Sequence, residues 1–248
     1  MRFDSIRIVL VETSHPGNIG SAARAMKTMG LGRLYLVNPK FFPDKRANDM
    51  AAGADDVVAQ AIVTASLQEA LLGCQLIVGT SARPRGIGLP GLIPADCARL
   101  VSSQPDDTEV ALVFGREHAG LTNEELLSCH YHLHIPSNSE YSSLNLAQAV
   151  QIIAYEIRMK ILNPVAEVEL RPDKLAAAQD IERFYQHLKD VLLEIGFLKP
   201  SNPRRLMQRI KRLFNRAQLE DMEVRLLRGM LSRIQNALKY AKINNKEF

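Results

Sequence analysis

The 248-residue chain has no tryptophan, three cysteines and an aromatic fraction of 6%. Cys74, Cys97 and Cys129 are odd in number and share no metal-ligand spacing. That argues against both a disulfide framework and a zinc site, and it points to a reducing, cytoplasmic setting with thiols that fill space. No apolar run approaches the roughly 18 residues a membrane span needs. Met1-Arg2-Phe3-Asp4 leads straight into a strand-like run, so neither a membrane anchor nor a signal peptide is expected. A Ser–His–Asp elbow and a phosphate-cradling glycine loop with lysine are also missing.

The fractions that are present, 46% hydrophobic and 23% charged, are those of a globular protein long enough for one large domain or a domain with an appendage. Charge is distributed unevenly. Residues 1–170 carry 14 Lys+Arg against 18 Asp+Glu, a net −4, and residues 171–248 carry 17 against 9, a net +8. An enzyme body with a nucleic-acid-holding module has this pattern, and so does a body with a solvated helical tail.

Periodicity predicts strands at Ile6–Val11, Leu34–Val37, Leu76–Val78, Val110–Phe114 and Tyr131–Ile135. Helices are predicted at about Ile19–Met29, Leu67–Leu72, Pro94–Val101, Asn123–Cys129 and Leu146–Leu162, with a short apolar piece at Asp56-Val57-Val58. The alternation implies an α/β domain, a mainly parallel sheet covered on both faces, over residues 1–163. A linker follows at 164–172, and then an all-helical basic domain at 173–248, with helices near Lys174–Ile195, Pro203–Ala217 and Glu220–Ala241.

Three stretches carry candidate chemistry. Pro136–Val150 reads as strand end, polar loop and helix start, with Ser142 or Ser143 as cap, the place where an α/β protein offers free backbone N–H groups to a ligand. In Asn18–Arg24, Arg24 is either a surface charge or a guanidinium fork for phosphate or ribose oxygen. In Gly115-Arg116-Glu117, the glycine admits a close-approaching ligand, and the two charged residues either pair with each other or hold substrate. Two other strings carry less. Gly86-Ile87-Gly88-Leu89-Pro90-Gly91 has the letters of a dinucleotide fingerprint, but it follows no strand directly and opens no helix. His130, His132 and His134 fall on one strand face without a completing carboxylate or thiol, so a strand face of satisfied histidines is expected.

Asn18–Arg24, Val110–Leu121 and Ser143-Leu144-Asn145-Leu146 resemble, in order and spacing, the three signature motifs of the SPOUT superfamily of RNA methyltransferases, SpoU branch. The resemblance covers nearly the whole chain and includes Gly79–Arg83, Thr122–Leu127 and the basic stretch Arg204–Ala217. It implies a deep trefoil α/β knot and a homodimer with sites at the subunit interface. It also implies methyl transfer from S-adenosylmethionine to a ribose 2′-hydroxyl, with no metal required. Within the branch the chain is similar to enzymes that modify cytidine or uridine 32 in the tRNA anticodon loop. The same reaction on another RNA, or RNA binding without catalysis, are the alternatives. The resemblance puts the cofactor against Thr80, Ser81, Ala82, Gly115, Ile135, Ser142, Ser143 and Leu144, and catalysis on Arg24, Asn18, Glu117 and Ser142. RNA contacts are expected from Arg24, Arg83, Arg116 and Tyr141. Arg205, Arg209, Arg212 and Arg216 recur at helical spacing beside an apolar stripe at 206, 207, 210, 213, 214 and 217, which predicts an amphipathic helix with an RNA-facing arginine edge.

Overall fold

All six residues of Ile6–Val11 (β1) are buried. Side chains alternate across a strand, so a run without polar alternation requires cover on both faces of the sheet. The computed structural model describes residues 3–82, 88–138, 140–162, 174–199 and 204–244. Arg83 and the 164–172 linker lie outside them. The chain divides into two compact units, Met1–Pro172 and Asp173–Phe248.

In the first unit, β1 is followed by α1 (Pro16–Thr28), β2 (Arg33–Val37), α2 (Lys45–Ala51), α3 (Asp55–Ala59) and β3 (Ile62–Thr64). Then come α4 (Leu67–Ala70), β4 (Leu76–Thr80), β5 (Gly91–Leu92), α5 (Pro94–Ser102) and β6 (Val110–Phe114). The unit closes with α6 (Asn123–Leu126), β7 (Tyr131–Leu133) and α7 (Leu146–Leu162). The strands make one seven-stranded sheet in the order β3-β2-β1-β6-β4-β7-β5, and each of these pairings is parallel. One face buries Ile6, Ile8 and Leu10 with Leu112 and Phe114 against α1, α5 and α7. The other face is covered by the 121–129 segment. A Cβ on Gly79 would lie 2.7 Å from Cys129 Sγ and 2.9 Å from Leu126 Cδ2, so only glycine permits that approach.

Several boundaries differ from expectation for local reasons. α1 begins at Pro16 instead of Ile19, because His15 Nδ1 accepts from Gly17 N at 3.1 Å and Pro16 has no N–H to leave unsatisfied. Asp56-Val57-Val58 lies in helix α3. β7 ends at Leu133, two residues short of Ile135, and α6 ends at Leu126, short of Cys129. Helices α2 and α3 and the edge strands β3 and β5 are too short to show a period. No helix begins at Gly91, and the next one starts at Pro94, which disposes of the dinucleotide fingerprint. All three cysteines are free and buried, and burial pushes Cys74 up to about 11 and Cys97 up to about 12. Such thiols fill space. Among the described residues no helix is long and apolar enough to cross a membrane.

The second unit holds α8 (Ala178–Glu194), α9 (Arg204–Ala217) and α10 (Asp221–Asn244). α8 starts four residues later than expected, because Leu175 and Ala176 pair through the backbone with Glu220 and Leu219. The core gathers Phe184, Tyr185, Val191, Leu219, Val224 and Leu231, with Phe214 edge-on to Phe184 at 4.9 Å.

Candidate active site at the carboxyl ends of the central strands

Parallel pairing sets Leu10 beside Phe114, Gly79 beside Val113 and Thr80 beside Leu133. The carboxyl ends of β1, β6, β4 and β7 therefore open side by side, and the loops that leave them share one crevice. In the loop after β4, Thr80 Oγ1 donates to Val113 O at 3.0 Å and Ser81 N to Leu133 O at 3.0 Å. Ser81 Oγ lies 2.7 Å from His132 Nε2. His130 is held neutral, since burial lowers its pKa to about 4, and its Nδ1 accepts from Ile77 N. His134 departs from the expected satisfied face. Its Nδ1 is buried with no hydrogen-bond partner among the described residues. No group of three potential metal ligands occurs among the described residues.

After β6 the chain doubles back at once: Arg116 N donates to Gly120 O and Gly120 N to Arg116 O, at 3.2 and 2.8 Å. A Cβ on Gly115 would sit 2.1 Å from the Gly120 carbonyl carbon and 2.2 Å from Leu121 N. The chain itself thus makes a close approach at Gly115 that demands glycine, beside the cavity that Gly115 also lines. Arg116 and Glu117 diverge instead of pairing. Arg116, expected to face RNA, has its guanidinium taken by Glu12 at 2.8 Å and by both oxygens of Glu125 at 3.0 Å. Glu125 in turn completes a capping box with Thr122.

Glu117 points the other way and gathers donors: Ser14 N and Oγ, His15 N, and Asn18 Nδ2 at 2.9 Å. Burial works to raise its pKa. The hydrogen bonds from Asn18 and from the N–H groups of Ser14, Glu117 and His15 outweigh that and leave it at about 2. The other end of the Asn18 amide is also used, since Asn145 Nδ2 donates to Asn18 Oδ1 at 3.0 Å. One chain of side-chain amides and carboxylate thus joins all three motif stretches. Asn145 is the residue that sequence reasoning quoted without giving a role. It also corrects the expected cap, because Asn145 Oδ1, not Ser142 or Ser143, accepts from Ala147 N at 2.9 Å. Asn145 directly precedes α7, and the serines stand too early to reach that N–H.

The loop before α7 closes on itself through Ser137 Oγ to Ser142 O at 3.2 Å and Tyr141 N to Asn138 O at 3.0 Å. Tyr141 is left 78% exposed. A cavity of about 570 Å³ lies among the three loops. Thr80, Ser81 and Ala82 line one wall, Gly115 to Gly120 another, and Ser142, Ser143 and Leu144 a third, over a floor of Phe114, Leu133, Ile135 and Leu146. Asn18, Arg24 and Tyr141 stand outside this lining. Arg24 is exposed on α1 and has no ion pair or hydrogen bond among the described residues. His118 and Ala119 line the cavity without any sequence signal beyond loop position.

In the second unit, α9 turns Met207, Phe214 and Asn215 inward, while Arg205, Arg209 and Arg216 are exposed and Arg212 is half-buried. Leu213, expected in the packed stripe, is 54% exposed. It lies about 100° around the helix from Phe214, on the border of the arginine edge.

Residues 5–155 match the SpoU rRNA Methylase family, and residues 179–244 match the C-terminal domain of the tRNA methyltransferase TrmJ. The chain is 53% identical over 234 residues to the tRNA (cytidine/uridine-2′-O-)-methyltransferase TrmJ of Pectobacterium atrosepticum, across 94% of this chain and 97% of that one. Among solved structures it is similar to TrmJ from Z. mobilis, with a TM-score of 0.82 and 33% identity, covering 92% of this chain and 98% of that chain. A probable methylase family protein from Haemophilus influenzae is 43% identical, with a TM-score of 0.63, over 97% of this chain and 100% of that chain.

Proposed function

Since the chain belongs to the SpoU methylase family and carries a TrmJ-type C-terminal domain, we propose that it methylates the ribose 2′-hydroxyl of cytidine or uridine 32 in tRNA, using S-adenosylmethionine. The observation that carries this reading is the cavity bounded by the loops after β4 and β6 and the loop before α7, which hold two of the three motif stretches. Its volume is that of a small-molecule site, its floor is apolar enough for a purine, and its rim offers the hydroxyls of Thr80, Ser81, Ser142 and Ser143. The residues present fit the cofactor. When bound, S-adenosylmethionine supplies an electrophilic methyl group on a sulfonium, so that alignment and exclusion of water are what the protein must add.

Within this reading Glu117 is not the proton acceptor, because a carboxylate with a pKa near 2 is a weak base. It holds Ser14, His15 and Asn18 in place beside the cavity. Arg24, whose guanidinium offers only N–H donors, serves to orient and stabilise the reacting ribose. The same reading has the chain act as a homodimer, with Arg24, which stands outside the cavity lining of its own chain, serving the site of the partner. Arg83 and Tyr141 join Arg24 in holding RNA, and Arg116, engaged by two carboxylates, keeps the 115–120 loop in shape. Residues 173–248 hold the tRNA through the arginine edge of α9. The trefoil knot belongs to the same reading. The test is to incubate the full chain with tRNA and labelled S-adenosylmethionine and to map the label by mass spectrometry of nuclease fragments. Label on the ribose of nucleotide 32 is expected, and label confined to any other position overturns the assignment.

A further inference from the structure

His132 is the middle residue of β7, and His130 and His134 flank the strand. At steps of two the three histidines share one face of the sheet, and their partners tell them apart. His130 Nδ1 accepts from Ile77 N, within the sheet. His134 Nδ1 has no hydrogen-bond partner among the described residues. His132 reaches a residue of the cavity wall, with its Nε2 2.7 Å from Ser81 Oγ. The neighbouring strands leave room for this. In the register His132 pairs with Gly79 of β4 and Gly91 of β5, so neither lateral neighbour has a side chain where the imidazole lies. His132 is 7% exposed, which shelters its bond to Ser81 from competing water.

Ser81 is the first residue past β4, where the register with β7 has ended at Thr80 and Leu133. Two bonds hold the start of this loop: Thr80 Oγ1 donates to Val113 O and Ser81 N to Leu133 O, each at 3.0 Å. The bond to His132 is the one that fixes the Ser81 side chain, whose hydroxyl is otherwise a free rotor. Whichever of the two atoms donates, the hydroxyl is committed along the line to Nε2, and its remaining hydrogen-bonding capacity faces one way. A wall ordered before the ligand arrives costs less to bind against than one that the ligand must order. We propose that His132 is a positioning residue for the cofactor cavity: through Ser81 it sets the wall formed by residues 80–82, without itself belonging to the lining. The inference rests on the reading of that cavity as the S-adenosylmethionine site.

The test compares His132→Gln with His132→Asn in the full chain. A glutamine amide extends as far as imidazole Nε2 and an asparagine amide only as far as Nδ1, so both keep a polar group in the strand but only glutamine can bond Ser81. In calorimetry with S-adenosylmethionine, His132→Gln is expected to bind within about twofold of the parent and His132→Asn about five- to tenfold more weakly, the worth of one sheltered hydrogen bond. Ser81→Ala alone should match His132→Asn, and in the Ser81→Ala background the two His132 variants should bind alike. Equal affinities of the two variants with Ser81 present overturn the proposal. So does a difference that persists without Ser81, since the imidazole would then act on the sheet and not through the serine. If His132→Asn fails to fold, Ser81→Ala decides: unchanged affinity overturns the proposal, and a loss of the stated size supports it. A parent chain that binds no S-adenosylmethionine removes the cofactor reading and this inference with it, whereas a parent that binds, with variants that do not differ, removes the inference alone.

Discussion

Glu117 accepts from two backbone N–H groups, a hydroxyl and an amide, and a neutral glutamine with one carbonyl oxygen cannot satisfy four donors. Its folded pKa of about 2 lies below the 4.5 of a free glutamate. The stabilisation linked to that depression is therefore fully present above 4.5 and is lost as pH falls from 4.5 toward 2. Glu117→Gln is expected to be less stable than the parent at neutral pH, with the gap in urea midpoint closing across that acid window. A gap independent of pH would show that the carboxylate is not held ionised. Arg24 makes the opposite kind of residue-scale prediction, because no described neighbour depends on it. Arg24→Ala should keep its melting temperature and cofactor affinity while methyl transfer falls by about 100-fold or more. Arg24→Lys should not restore transfer if two parallel N–H donors are what the ribose or phosphate meets. Near-normal turnover in either variant removes Arg24 from the site.

Elements, in contrast, are governed by what neighbouring backbone allows. In the loop after β6, Gly115→Val drives a side chain into the Gly120–Leu121 backbone, so it is expected to lower the unfolding free energy by about 3 kcal/mol or more and to weaken cofactor binding with it. Weaker binding at an unchanged melting temperature would instead return the glycine to a ligand-contact role. On α9 the expectation is electrostatic. Changing Arg205, Arg209 and Arg212 to Gln together should weaken tRNA binding and reduce the slope of log K against log salt by about 2 to 3. Free cofactor should bind as before. β1, β6 and α7 were legible in the sequence because each is a sustained apolar pattern closed by a breaker. β3 has two of its three residues exposed and β5 has two residues in all, so neither offers a pattern. The cavity lining could be named from the motif loops. The role of Asn145 could not, because it depends on a partner 127 positions away. The chain's own approach to Gly115 was hidden for a related cause, since a glycine in a string does not say whether ligand or chain comes close.

At the scale of the whole molecule, the proposed sharing of the site between two copies makes a prediction that no single chain can meet. If Arg24 acts across the dimer, an Arg24→Ala chain and a chain with a defective cofactor loop, such as Gly115→Val, are each inactive alone. Mixed and allowed to exchange, half the dimers are hybrids with one complete site, so about a quarter of the parental activity should return. No recovery after verified exchange would mean that each chain serves its own site. The amide relay also bears on time. Its two links, Asn145 to Asn18 and Asn18 to Glu117, span 127 and 99 positions, so loop-closure entropy delays them until α7 has docked. Helical signal should therefore recover early in refolding and cofactor binding late, and a nascent chain gains a working pocket only after α7 has been synthesised.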